Sequence, residues 1–246
     1  RLAIQGLTYA NNGTDATNDI DIAVGGAMDS TSARMMVLAA ALTKRLDANW
    51  AVGTNQGGLD TGSASDTNYY IWLINRSDTD VTDVLFSTSA TAPTMPTNYN
   101  YKRLIGWFKR VSGTIVAFKT YETEGGGINL LWTAPTLDIN DTLSTSRRTD
   151  AVKVPLAFST LATIRVSLVD AADNTLALVC CPDETDAAPS ATAAPLANLN
   201  SHSGAASTEQ KELRIRTSAT GTIAARATAA LDTYAVSTVG FEWSRR

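Results

Sequence analysis

"ARMMVLAAALTKRLDANWA", Ala33–Ala51, decides the fold class, because no other stretch of the chain competes for a helix. Ala, Met and Leu are good helix formers. Yet no Ser/Thr/Asp-x-x-Glu box opens the stretch, and its apolar residues run almost unbroken instead of recurring at period 3.6. A buried strand followed by a hairpin accounts for it equally well. Its neighbours tip the reading toward strands.

Those neighbours are strand-like in both directions. "DIDIAVGGAMD" (Asp19–Asp29) alternates polar and apolar residues up to a Gly pair. "NYYIWLINR" (Asn68–Arg76) is rich in aromatic and β-branched residues, "SDTD" signals a turn, and "VTDVLFSTS" (Val81–Ser89) completes an antiparallel hairpin. Downstream, "KRLIGWFKRVSGTIVAFKTYE" (Lys102–Glu122) reads as two strands joined at Ser112–Gly113. "GGGINLLWTAP", "VKVPLAF", "ATIRVSLVD", "NTLALVCCP", "KELRIRTSA", "TIAARATAA" and "YAVSTVGFEW" each supply another. Short strands at spacings of about 8–12 residues predict an all-β protein, an antiparallel β-sandwich or jelly roll with at most one short helix. Residues 1–246 are read as one domain, with a slightly separate half after Asp150 as the alternative. The Pro-, Ala- and Ser-rich stretch at about 183–207 is read as a long flexible surface loop.

Composition narrows the partners. The net charge is −4 and 18% of residues are charged, which argues against a basic face for nucleic acid. No apolar run is long enough to span a bilayer, so membrane insertion is not expected. The chain starts at Arg1 without a signal-peptide pattern and reads as a fragment or a processed chain. Cys180 and Cys181 are adjacent, a spacing that strains a mutual disulfide. They are read as one buried and one incidental thiol. With no CxxC spacing, neither a metal nor a cofactor is expected.

The candidates for chemistry are weak. His202 is the only histidine and falls in the expected loop, where a catalytic base would lack fixed geometry. Glu122 with Glu124, and Asp138 with Asp141, are the only carboxylate pairs worth weighing for glycoside hydrolysis, and both read as solvated turn residues. "DTDVTD" (Asp78–Asp83) starts like a calcium loop, but Asp83 stands where that loop needs Gly and Ser89 where it needs a bidentate Glu. Asn12, Asn75 and Asn140 head glycosylation-like triplets of the kind a Thr-rich chain contains by chance. No catalytic residue is assigned, and the chain is read as a non-enzyme.

"DANWAVGTNQGGLDTG" (Asp47–Gly62) is glycine-rich, but no helical pattern follows it, so it is no phosphate cradle. Its glycines are expected to supply the positive φ angles of a wide turn. Trp50 is expected to close the core beneath that turn, unless its ring is exposed, in which case a sugar could stack on it. Asp60 is expected to fix the turn through nearby backbone N–H groups.

The same residues resemble a segment common in phage and prophage tail-fibre and other virion proteins. That pattern runs Leu-x-Lys-x-Leu-Asp-x-x-Trp, then Gly-Gly-Leu-Asp-Thr-Gly, an aromatic-led strand, Asp-Val-x-x-Ser, Ala-Pro, Pro-x-x-Tyr and Arg-Arg-Ile-Gly. Lys44, Leu46, Asp47, Trp50, Gly57, Gly58, Leu59, Asp60, Thr61 and Gly62 match it, as do Tyr69, Tyr70, Asp83, Val84, Ser87, Pro93, Pro96, Tyr99, Arg103 and Gly106. Leu104 replaces the second Arg, and the closing "GFEWSRR" has Phe241 where Trp is commoner. The likeness covers Ile22 to about Phe118. It implies a β-structured, non-enzymatic module on a phage tail or capsid surface, usually near a fibre tip, that binds a receptor in host attachment. Its implied partners are its own copies in a homotrimer, other virion proteins and a host surface glycan. A structural capsid-fibre, decoration or tail-adaptor protein is the alternative, with a polysaccharide depolymerase behind it.

Overall fold

The structure is a computed structural model that describes residues 4–170, 175–201 and 207–245. Its described residues are almost all strand or connection, with one 3-10 turn at Glu124–Gly126, so the all-β expectation holds. Ala33–Ala51 is two strands. Met35 to Leu38 alternate exposed and buried, and so do Lys44 to Asp47. The apolar run is period-2 pleating, continuous in the sequence only because the connection between the strands is itself alanine.

The chain divides into two compact units, residues 1–133 with 243–246, and residues 134–242, where the sequence was read as one domain with a break only after Asp150. The second unit is an insertion in the chain of the first.

Unit 1 contains β1 (Ile4–Gly6), β2 (Tyr9–Asn11), β3 (Asp19–Ile22), β4 (Gly25–Met28), β5 (Met35–Leu38), β6 (Leu42–Asn49), β7 (Gln56–Leu59), β8 (Asn68–Arg76), β9 (Thr82–Ser87), β10 (Tyr99–Val111), β11 (Thr114–Ile115), β12 (Phe118–Thr123) and β13 (Gly127–Trp132). Eight of these form one sheet in the order β11-β10-β8-β9-β7-β6-β3-β2, and β1-β4-β5 form a small second sheet. The large sheet curls until its two ends nearly meet. The Asn11 amide donates to the Ile115 carbonyl at 3.4 Å, and the Ile115 N–H donates to the Thr17 carbonyl at 3.0 Å. Near-closure leaves few free strand edges. The centre of this sheet is β8, buried from Tyr69 to Asn75, and the core around it includes Phe86, Trp107 and Phe108. Tyr69 stacks on Phe108 with ring centroids 5.4 Å apart, and Phe86 meets the same ring edge-on at 5.1 Å.

The expected hairpin at Asn68–Ser89 is present, paired antiparallel from Tyr70 with Ser87 to Asn75 with Thr82. The Ser112–Gly113 turn has φ of 50° and 78°, the positive pair that a tight hairpin requires. The strand expected after it breaks at Val116–Ala117 into β11 and β12, which belong to different sheets. The order β6-β7-β9 was not foreseen: β7 lies parallel to both neighbours.

Unit 2 contains β14 (Leu137–Leu143), β15 (Arg148–Ala151), β16 (Leu161–Asp170), β17 (Leu176–Cys180), β18 (Leu199–Asn200), β19 (Ser207–Arg216), β20 (Thr222–Ala227) and β21 (Leu231–Trp243). Here β14-β21-β16-β19 and β15-β20-β17-β18 are two antiparallel sheets. Ala162, Ile164, Val166 and Leu168 are buried on the first, Ala177, Val179 and Ile223 on the second. This is the two-layer pattern of a sandwich. "VKVPLAF" is not a strand: Ala157 has φ of 73° and Pro155 offers no N–H to a ladder. Of the stretch read as a loop, residues 183–201 contain β18 and a bridge between Ser190 and Leu196. Asn198 ties this segment to β17, exchanging side-chain hydrogen bonds with Val179 at 3.0 and 2.7 Å.

Candidate functional site

The glycine-rich stretch turns a corner and also forms the wall of a groove. Parallel pairing of β6 with β7 requires the chain to loop back between them, and residues 50–55 make that loop. The Trp50 N–H donates to the Leu59 carbonyl at 2.7 Å, and the Ala51 N–H to the Gly57 carbonyl at 3.0 Å. The glycines serve two purposes. Gly53 and Gly62 have φ of 102° and 80°, as expected. Gly57 and Gly58 lie in β7, and there the requirement is close approach. A Cβ on Gly57 would sit 1.9 Å from the Asn49 carbonyl oxygen, and one on Gly58 would sit 2.8 Å from the Phe86 ring.

Beneath the loop is a buried ion pair. Lys44 and Asp83 have side chains 0% and 1% exposed, with Nζ 2.9 Å from Oδ1. The ammonium also donates to the Ala51 carbonyl at 2.7 Å. Asp83 accepts the Gly53 N–H at 2.8 Å and the Val84 N–H at 2.6 Å. Burial pushes the Lys44 ammonium below its ordinary pKa and the Asp83 carboxyl above its own, each against the pull of the other. The pair therefore staples both sides of the loop, Ala51 and Gly53, to β9. A buried charge pair is weak evidence for net stability, but it fixes geometry when every partner is satisfied.

Trp50 stands on this base. Its Nε1 donates to the Val84 carbonyl at 3.0 Å, Tyr99 meets it edge-on with centroids 5.0 Å apart, and Lys44 Nζ lies 5.4 Å from its centroid. The expectation of a core tryptophan is corrected here: the ring is half-buried, because its lower side covers the ion pair while the rest lines an open groove. The groove encloses about 540 Å³, within the range of small-molecule sites. Its polar lining includes Asn49, Asp60, Thr61 and Arg76, and Met95 and Pro96 supply apolar surface. Asp60 acts at a distance. It accepts the N–H of Thr94 at 3.0 Å, holding the Pro-rich connector against the groove and not its own turn.

No family model, curated protein or solved structure matches the chain. The site is thus defined by its geometry.

The other sequence candidates separate. Asp78 pairs with Arg76, Asp80 with Arg34, and Asp83 with Lys44, so the acidic run serves three different partners around the β8–β9 turn. Glu122 is exposed and accepts the Gly6 N–H at 2.9 Å, while Glu124 begins the 3-10 turn. Asp138 and Asp141 do not flank a turn. Both lie within β14, Asp138 accepting from Thr238 and Asp141 paired with Arg148. Cys180 and Cys181 are free and both half-buried, since β17 turns its even positions outward and ends at Cys180. Asn75 is buried and bonded to Asp80 and Thr82, which removes it as a glycosylation acceptor. His202 lies outside the described residues.

A hollow in unit 2, lined by Leu137, Val166 and Ala235 among others, has no aromatic ring. Two described hollows combine an aromatic with Asn, Asp and Thr side chains; beside Asn12 and Asp21 the ring is Tyr9, which is buried, whereas Trp50 in its groove is half-exposed. The sequence signalled Trp50, Asp60 and Tyr99. It did not signal Asn49 or Arg76, which carry no pattern of their own.

Proposed function

We propose that this chain is a non-enzymatic component of a phage virion, a tail-fibre module that contacts the host surface through the Trp50 groove. One observation carries the reading. Residues of the tail-fibre likeness that are scattered along the chain (Lys44, Trp50, Asp60, Asp83 and Tyr99) converge to build one open groove. A shallow polar groove gains little net free energy per copy. Several copies on one particle turn weak contacts into avidity. The module is therefore proposed to act as a homo-oligomer, most simply a trimer, on the virion surface.

A second reading has its own support. Val24, Met35 and Val37 are 52%, 48% and 55% exposed on or beside the small β4–β5 ladder. Such a face suits contact with another virion protein and favours a capsid-fibre, decoration or adaptor role.

The test is competition. Purified chain is added to host cells before the particle that carries it, and particle adsorption is measured beside an Asn49→Ala variant. Loss of adsorption with wild-type chain, and less loss with the variant, supports host contact. Undiminished adsorption, with the chain located by particle imaging on the capsid, would move the reading to the structural role. Release of oligosaccharide from host envelope, abolished by changing Glu122 or Glu124, would make it a depolymerase. Light scattering of the purified chain tests the oligomer.

A further inference from the structure

We infer that the Trp50 groove is selective for uncharged hexoses, stacked on Trp50 with hydroxyls held by Asp60 and Asn49, and discriminates against sialic, uronic and other anionic sugars. This rests on the reading of the groove as a ligand site.

The ring is ready for such a ligand. Three contacts hold Trp50: the Val84 carbonyl, the edge of Tyr99 and the Lys44 ammonium. Little further order is lost when a ligand arrives, which favours binding at a shallow site. A pyranose has an apolar C–H face of roughly the size of an indole, with hydroxyls around its rim. An aromatic floor with polar groups beside it matches both parts.

The charges decide the class. Two formal charges line the groove, Arg76 and Asp60. Arg76 is already engaged by Asp78 in a two-point pair, with Nε to Oδ1 at 2.7 Å and Nη2 to Oδ2 at 3.0 Å. Asn98 donates to the same carboxylate at 3.1 Å, fixing it in place. The Asp78 carboxylate offsets the charge of the guanidinium, so the donors it leaves free favour a sugar carboxylate less than an unpaired arginine would. Among the described residues, Asp60 pairs with no cation. Its Oδ2 holds the Thr94 N–H, and Oδ1 remains as an acceptor for a hydroxyl. The uncompensated charge of the lining is therefore negative. An anionic sugar would meet like charge, while a neutral hydroxyl would meet a strong acceptor.

Saturation-transfer NMR on the full chain tests this, with neutral galactose-, glucose- and N-acetylglucosamine-containing oligosaccharides against sialyllactose and oligogalacturonate at low salt. Neutral sugars should bind with Kd of about 1 mM, as a shallow site allows. Anionic ones should bind at least about tenfold more weakly. Asn49→Ala removes only an exposed side chain, and Trp50→Phe keeps a ring. Each should weaken neutral binding several-fold with the circular dichroism unchanged. Asp60→Asn retains an acceptor for Thr94 but drops the charge, and should narrow the gap between the two sugar classes. Equal or tighter binding of the anionic sugars, no binding of any sugar, or binding indifferent to Asn49 and Trp50 would overturn the inference. The adsorption experiment is separate. Adsorption that depends on the groove without neutral-sugar binding would defeat this inference and leave the host-contact reading. Neutral-sugar binding without an effect on adsorption would do the reverse.

Discussion

Replacing Asp83 with Ala strands the Lys44 ammonium in a fully covered site. The carboxylate now engages that ammonium at 2.9 Å and accepts the N–H groups of Gly53 and Val84. Removing one member of a buried pair costs about 3–5 kcal/mol, because the other charge is left without water or partner. Lys44→Met, which keeps the stem and deletes the charge, should cost a similar amount for the converse reason. The double variant Lys44→Met/Asp83→Leu leaves no stranded charge. It still leaves the Gly53 and Val84 N–H groups and the Ala51 carbonyl unpaired, so it should remain destabilised, but by far less than the two single losses added. Urea unfolding followed by tryptophan emission is the assay. All five tryptophans lie in unit 1, so the emission reports that unit selectively. Single losses below about 1 kcal/mol, or a double variant equal to the sum of the singles, would refute the claim that these charges hold each other and the loop.

Gly58→Ala should cost about 1–3 kcal/mol in the same assay, since its Cβ would enter the Phe86 ring. Gly57→Ala should cost more, because its obstacle at 1.9 Å is backbone, which cannot rotate away. Arg245 is buried and donates to the carbonyls of Gly126, Leu7 and Gly6, so Arg245→Ala should lower unit 1 stability by about 3 kcal/mol, with the circular dichroism of unit 2 strands unaffected at the first transition. At Asp29, burial alone would raise the pKa, but hydrogen bonds from Thr31, Arg34 and Ala33 outweigh it and hold the carboxyl below its ordinary range. The folded pKa is the lower one, so this stabilisation is complete above the ordinary carboxylate range and is lost as pH falls through the folded value. Melting temperature between pH 5 and 2.5 should fall less steeply in Asp29→Asn than in the wild type.

The strands that were legible carried their own signal. Asn68–Ser89 has β-branched and aromatic runs around a turn, and Ser112–Gly113 has the residues a tight hairpin needs. What stayed hidden depended on distant partners. β7 reads "QGGL", a sequence with no strand propensity. It is a strand because only glycine fits between Asn49 and Phe86. "VKVPLAF" shows the opposite error, apolar residues without a ladder. In the groove, Trp50 drew notice as an aromatic among glycines, but its half-buried state follows from Lys44, whose partner lies 39 residues away. An ion pair across two parallel ladders leaves no trace in local pattern. The boundary at residues 133–134 is equally silent, because strands on both sides share one composition.

The pinning of Arg245 gives unit 1 a clock. Ribosomes deliver the chain in order, so Gly6, Leu7 and Gly126 emerge long before the guanidinium that their carbonyls receive. All of residues 134–242 must be made in between. At roughly 5–20 residues per second that interval is on the order of 5–20 seconds. β21 of the inserted unit ends at Trp243, so the two units are completed almost together, and the carbonyls of Gly6, Leu7 and Gly126 wait for the guanidinium through that whole interval.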